Sequence, residues 1–140
     1  MKVNVYLNFD GNAEEAFNFY KSVFGGEFTF IMKMGDTPDS EKLDKSELNR
    51  IMHISLPLGD HSILMASDIL PSAGHVLKKG NTNYISLHPD SRQEADRLFN
   101  GLSKGGTIEM PMEDQFWGDY FGSFEDKFGI LWMINHSDQS

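Results

Sequence analysis

The chain has 140 residues, 39% of them hydrophobic and 24% charged, with no cysteine. A chain of this length buries roughly two thirds of its unfolded surface and needs no staple to fold, and the missing cysteine excludes disulfides, thiolate nucleophiles and cysteine-based zinc or iron–sulfur sites. The formal charge of −9, with only Arg50, Arg92 and Arg97 as arginines, argues against nucleic acid and against anionic membrane surfaces, because polyanions demand a basic face, and it suits a neutral or cationic small ligand better.

Val3, Val5, Leu7 and Phe9 alternate with Asn4, Tyr6 and Asn8, the period of two of a strand with two different faces. Asn12 with Glu15 three residues on is a capping-box pattern. Ala16, Phe19, Tyr20 and Val23 follow at helical spacing, and Gly25-Gly26 stops the helix with a left-handed position. Glu27 to Met34 is rich in strand formers, and Gly35 to Glu47 reads as an exposed polar loop. Ile51 to Leu58 and His61 to Ala66 flank Gly59-Asp60, a two-residue hairpin signal. That turn predicts the cross-strand pairs Leu58 with His61, Ile54 with Met65 and His53 with Ala66. It places His53 on the face opposite Met65 and roughly 17 Å from His61, at ~3.4 Å per residue.

The same order then recurs. Tyr84, Ser86 and His88 alternate with Ile85 and Leu87; Ser91 with Glu94 forms a second capping box; Ala95, Leu98, Phe99 and Leu102 make a helical stripe; Gly105-Gly106 stops it; Thr107 to Met110 is a short strand. The caps and stripes of the two halves are displaced by 79 residues, as from Asn12 to Ser91. In the closing strands Ser55, Ile63 and Met65 sit 68 residues before Ser123, Leu131 and Met133. Matching caps, stripes and stops in one order indicate an internal repeat. The sequence therefore predicts one α+β domain over residues 1–140, built of two βαβββ modules (about 3–68 and 81–136) whose curved mixed sheets leave concave faces around a cavity. No basic leader followed by an apolar run is present, and no stretch nears the ~18 apolar residues of a membrane span, so a cytoplasmic protein is expected.

Two stretches carry a resemblance to a known family. Residues 6–26, from Tyr6-Leu-Asn-Phe-Asp-Gly through Phe-Tyr-Lys-Ser-Val-Phe-Gly-Gly26, are similar to the opening of PhnB-like proteins. Met110-Pro-Met-Glu-Asp-Gln-Phe-Trp-Gly-Asp119 and Asp126-Lys-Phe-Gly-Ile-Leu-Trp132 resemble their closing signature. These proteins belong to the vicinal-oxygen-chelate superfamily, with glyoxalase I, bleomycin-resistance proteins and extradiol dioxygenases. The resemblance implies the βαβββ repeat, a homodimer, ligand sites in the concave faces and, in the metalloenzymes, ligands on the first and last strands of each module. Those ligand positions fall near Val5 (Asn4 or Tyr6 after a one-residue slip), Met65, Tyr84 and Met133. None is the imidazole or carboxylate that a divalent first-row metal prefers, so no metal ligand and no cofactor is assigned, and a divalent ion would need an off-pattern site.

The five histidines show no i,i+2 or i,i+4 pairing. His88 shares a face with Tyr84 and Ser86 and is the histidine expected to line a cavity, where imidazole could move a proton. The run from Glu113 to Tyr120 reads as a loop mixing acids, an amide and aromatics, suited to a planar or cationic ligand. The pocket candidates are therefore Tyr6, Asn8, Met65, Tyr84, His88, Asp114, Gln115, Trp117 and Met133; no catalytic residue is assigned. A small-molecule binder with a metal-poor cavity is the leading expectation. The alternatives are a metal-dependent lyase or dioxygenase and a non-catalytic interaction protein.

Overall fold

A computed structural model describes residues 1–138. The chain divides into two compact units that meet at Lys78/Lys79. Each is a four-stranded mixed sheet with one helix, so the architecture is α+β and each unit is one βαβββ module.

In the first unit the strands are β1 (Val5–Phe9), β2 (Phe30–Lys33), β3 (Ile51–Leu58) and β4 (Ser62–Asp68), in the order β1-β4-β3-β2, with helix α1 (Ala13–Phe24) between β1 and β2. β1 runs parallel to β4; the other pairs are antiparallel. Helix α1 buries Ala13, Ala16, Phe17, Tyr20 and Val23 against Phe9, Ile51, Ile54, Leu56, Leu64 and Ala66, which form the core face of the sheet. Full burial of one such large apolar side chain contributes about 1.5–3 kcal/mol. Phe17 is wholly buried and Phe19 only half-buried, so the helix is rotated slightly from the stripe read in the sequence.

The expected capping box at Asn12 does not form. The carboxylate of Asp68, at the end of β4, does that work from 55 residues away. Its Oδ1 accepts the Gly11 and Ala13 amides at 2.9 and 3.0 Å, and its Oδ2 accepts the Ile51 amide at 2.7 Å. One buried side chain thus ties the start of α1 to the start of β3. The segment 35–47 also departs from a simple exposed loop. It forms three short 3-10 turns, Met34–Asp36, Ser40–Lys42 and Lys45–Glu47, and it buries Glu47, whose carboxylate faces the Ser72 amide.

The second unit repeats the plan with β5 (Ile85–Leu87), α2 (Arg92–Ser103), β6 (Thr107–Asp114), β7 (Tyr120–Glu125) and β8 (Leu131–His136), in the order β5-β8-β7-β6. Here the predicted stripe, Ala95, Leu98, Phe99 and Leu102, is the buried face of α2, packed near Phe124, Trp132 and Ile134. The hydroxyl of Ser91 caps the helix by accepting the Glu94 amide at 3.0 Å. Strand β6 runs four residues past the predicted end at Met110. Glu113 and Asp114 therefore belong to a strand, Tyr120 opens the next one, and the loop shrinks to a hairpin turn over residues 115–119. The buried carboxylate of Asp126 organises the β7–β8 turn, accepting the Phe128 and Ile130 amides and the Trp132 indole N–H at 2.8, 3.0 and 2.9 Å.

Candidate functional site

A helix covers one face of each sheet. The other face carries the side chains of alternate residues, and which ones depends on register.

The β3–β4 hairpin corrects the sequence reading. Leu58 pairs with Ser62, so the loop is the three residues Gly59, Asp60 and His61, with Gly59 at φ +69°. Ser55 therefore stands opposite Met65, and Ile54 opposite Ala66. A one-residue slip exchanges the two faces of a strand, and here it moves His53 onto the same face as Met65. The middle rung of that face reads Tyr6, Met65, Ser55, Phe30 across β1, β4, β3 and β2. His53 and Met32, themselves opposite one another, stand one pleat along, as do Asn8 and Ser67. Val5, where the resemblance implied a metal ligand, points to the helix side with Leu64; the residue on the Met65 rung is Tyr6.

These side chains form a connected polar chain inside an apolar rim. The Tyr6 hydroxyl lies 3.1 Å from His53 Nδ1, and His53 Nε2 lies 3.1 Å from the Ser55 hydroxyl. The Tyr6 and His53 rings stack at 5.6 Å with 29° between their planes, and Phe30 leans on His53 at 5.4 Å. Tyr6 remains 47% exposed and Phe30 43% exposed.

In the second unit the corresponding rung is Ser86, Met133, Ser123, Met110 across β5, β8, β7 and β6. Ser86, not Tyr84, stands opposite Met133. Tyr84 precedes the strand, and its hydroxyl donates at 2.8 Å to the carboxylate of Glu109 on β6, at the far edge of the sheet. The register of β6 shifts between Ile108 and Met110, so Glu109 is the extra residue of a bulge, a device that re-aims a side chain. Ser86 Oγ lies 3.0 Å from His88 Nε2. His88 also lines a small depression of about 270 Å³ with Pro89, Asp90, Asn135, His136 and Ser137. At the far end Phe121 stands opposite Asn135; Trp117 packs edge-on to Phe121 at 6.1 Å, and Phe116 to Trp117 at 5.1 Å. Trp117 is half exposed and Phe116 almost wholly exposed.

Of the residues predicted from sequence, Tyr6, Asn8 and Met65 share the open face of the first unit. Ser86 links His88 to the open face of the second unit, which Met133 shares, with Tyr84 bonded to Glu109 and Trp117 at its end. Asp114 is not brought to that face. It pairs with Tyr120 on β7 and holds Arg92 of α2 through two hydrogen bonds of 2.7 and 3.0 Å, while the guanidinium lies 4.0 Å from the Tyr120 ring centre. Those bonds hold the Asp114 carboxyl below its ordinary range. Gln115 serves the hairpin, its side-chain amide donating to the Glu113 carbonyl at 3.1 Å. His53, Ser55, Phe30 and Glu109 were missed. His53 and Ser55 lay hidden behind the register slip, Phe30 on a strand whose facing the alternation did not assign, and Glu109 behind a bulge. The available signal was the pairing of Ser55 and Met65 with Ser123 and Met133 at one offset.

Tyr84 and Tyr120 each donate a hydrogen bond to a carboxylate, to Glu109 and to Asp96 at 2.5 Å, and these bonds raise both phenols above the ordinary tyrosine value. A raised folded-state value stabilises below the unfolded value of ~10 and is lost as pH rises through the folded one. In an ultraviolet titration of tyrosinate, Glu109→Gln is expected to move one late-ionising component to lower pH; an unchanged curve would contradict the Tyr84–Glu109 bond.

The residues on the implied metal-ligand rungs are Tyr6 with Met65 and Ser86 with Met133. Hydroxyl and thioether donors do not fit a divalent first-row metal. Among the described residues no three histidine, aspartate or glutamate side chains cluster so as to hold a metal ion, and no helix is long and apolar enough to cross a membrane.

The family model described as Glyoxalase/Bleomycin resistance protein/Dioxygenase superfamily matches residues 2–134. Protein YjdN of Escherichia coli is 33% identical over 146 residues, spanning 96% of this chain and 95% of that protein. Among solved structures, protein PA1353 from Pseudomonas aeruginosa is 38% identical with a TM-score of 0.87, covering 98% of each chain. The PhnB protein from Bacillus cereus is 25% identical with a TM-score of 0.78, covering 98% of this chain and 100% of that one. The fosfomycin resistance protein FosX from Listeria monocytogenes, complexed with Mn(II) and sulfate, shares the fold at 12% identity and a TM-score of 0.64 over 98% of this chain and 92% of its own. With its two βαβββ modules, the chain belongs to the glyoxalase/bleomycin resistance protein/dioxygenase superfamily, and it resembles the PhnB-like members.

Proposed function

We propose that this protein binds a small planar molecule, neutral or cationic, on the open faces of its sheets, and does so without a metal ion. The observation that carries the reading is the make-up of those faces. Each surrounds a methionine, Met65 or Met133, with a serine on either hand or a serine and a tyrosine; the first sets the exposed Tyr6 and Phe30 beside the His53 imidazole, and the second has the exposed Tyr84 and Trp117. Binding sites are mostly apolar surfaces with a few placed polar groups, and methionine adapts its shape to a ligand. The net charge of −9 disfavours anionic ligands. A homodimer belongs to the same reading, because β1, β2, β5 and β6 are sheet edges with unpaired backbone groups to cover.

The test is a thermal-melt screen of chelator-stripped protein against small molecules and, in parallel, divalent metals. A ligand at a hundred times its dissociation constant stabilises by about 2.7 kcal/mol, a shift of several degrees. The expected result is a saturable shift with a planar compound, weakened about tenfold or more by Trp117→Ala or Tyr84→Phe. Saturable stabilisation by one divalent metal per chain, with no effect of any organic compound, would overturn the reading and favour a metal-dependent enzyme.

A further inference from the structure

The polar chain on the first unit has a chemistry of its own. In Tyr6–His53–Ser55 both ring nitrogens of one imidazole face hydroxyl groups, at 3.1 Å each. A neutral imidazole has one N–H and one lone pair. With the proton on Nε2, that N–H donates to the Ser55 oxygen and the Tyr6 hydroxyl donates to Nδ1. The three groups differ in access. Ser55 is buried, His53 is half-buried, and Tyr6 is exposed. In that tautomer an incoming molecule meets the Tyr6 oxygen first, with its O–H directed inward and its lone pairs free. The groups facing His53 are Tyr6 from β1, Phe30 and Met32 from β2, and Ser55 from β3. Phe30 and Met32 are apolar walls, so the hydroxyls are the proton partners among these neighbours.

We propose that this face is a proton-accepting site for a planar, weakly acidic ring bearing an O–H or N–H. The inference rests on the reading of the open faces as ligand surfaces and names what the first of them recognises. The ring lies against Phe30 and Met65, and its acidic hydrogen points at the Tyr6 oxygen. One ligand O–H or N–H bond breaks as an O–H bond forms at Tyr6, and the tyrosine's own proton moves to His53 Nδ1. The products are a bound ligand anion and an imidazolium that still donates from Nε2 to Ser55; nothing is oxidised or reduced. Histidine suits the role because it takes and sheds a proton near neutral pH. His53 is a positioning and proton-holding group, and Tyr6 is the group that touches the ligand.

The experiment uses 4-nitrophenol, whose anion absorbs visibly, with binding followed by calorimetry and ionisation by absorbance on the same samples. At the pH where free probe is half ionised, the bound probe is expected to show an anion-to-phenol ratio raised about tenfold, one pK unit. Tyr6→Phe and His53→Gln each return the ratio to that of free probe, and Tyr120→Phe, at a tyrosine bonded to Asp96 of α2 and away from both open faces, leaves it raised. Probe that binds but titrates as in water would overturn the proton-accepting site while leaving the small-molecule reading intact. A shift that survives Tyr6→Phe or disappears in Tyr120→Phe would overturn it too, as would no heat of binding at millimolar probe.

Discussion

Replacing Asp68 with alanine is expected to cost about 3–5 kcal/mol of unfolding free energy, read as a fall in urea midpoint at unchanged slope. The carboxylate is buried and accepts three backbone amides, from Gly11, Ala13 and Ile51. Hydrogen bonds to a charged group are worth roughly 1.5–3 kcal/mol each, and donors left buried without partners keep the full cost of leaving water. The three are not additive, because the start of α1 can relax once it is released. Domains of this size have only about 5–15 kcal/mol in total, so the variant sits near the edge of folding. Asp68→Asn, which keeps the shape and one oxygen, should lose less. A loss under 1 kcal/mol for the alanine variant would show that solvent or another group serves these amides.

Gly106→Ala is expected to be damaging as well, for a steric reason. A Cβ there would lie 2.1 Å from the Glu125 carbonyl oxygen and 2.9 Å from the Asp126 Cα and carbonyl carbon. All three are backbone atoms, so no side chain can swing aside, and the first β6–β7 pair, Thr107 with Glu125, must open. Overpacking of this kind costs about 1–3 kcal/mol, sometimes more. Gly25→Ala is the control. Gly25 has φ +80° and ψ −168° with open space around it, so the only penalty is a positive-φ extended backbone that glycine alone readily adopts, roughly 1–3 kcal/mol. Thermal melts should rank Gly106→Ala at or below Gly25→Ala. The reverse order would mean that the approach of Gly106 to β7 is not tight in solution.

Those two glycines also show what the sequence conveyed and what it hid. Both pairs were legible as helix stops, because a stop is a local matter of backbone freedom. That Gly106 must also admit the backbone of β7 is a tertiary fact with no local signature. The same division runs through the molecule. Helix α2, with its own serine cap and an unambiguous stripe, lies where its residues predict. Helix α1 also forms, but its cap comes from Asp68 at the end of β4, a residue whose local sequence says nothing about helices. The repeat was legible because matched spacing survives divergence. The open faces were half legible. Met65 and Met133, with Tyr6 after a one-residue slip, came from the family resemblance and His88 from alternation, whereas one extra residue in the β3–β4 turn hid His53 and Ser55. The bulge that aims Glu109 at Tyr84 was hidden in the same way. Asp114 followed the motif into the candidate set, yet its position in the strand turns it toward Arg92. Register, more than composition, decides which residues a β-rich site contains.

Both proposed binding faces centre on a methionine and would receive a small molecule without metal. The methionines supply the most direct measurement. With methyl-labelled methionine and a chelator present throughout, a compound from the melt screen should shift the Met65 or Met133 methyl resonance saturably and in step with the calorimetric isotherm. The buried Met34, on neither open face, should stay still. Shifts that need added metal, or that leave both Met65 and Met133 unmoved at saturation, would contradict the account.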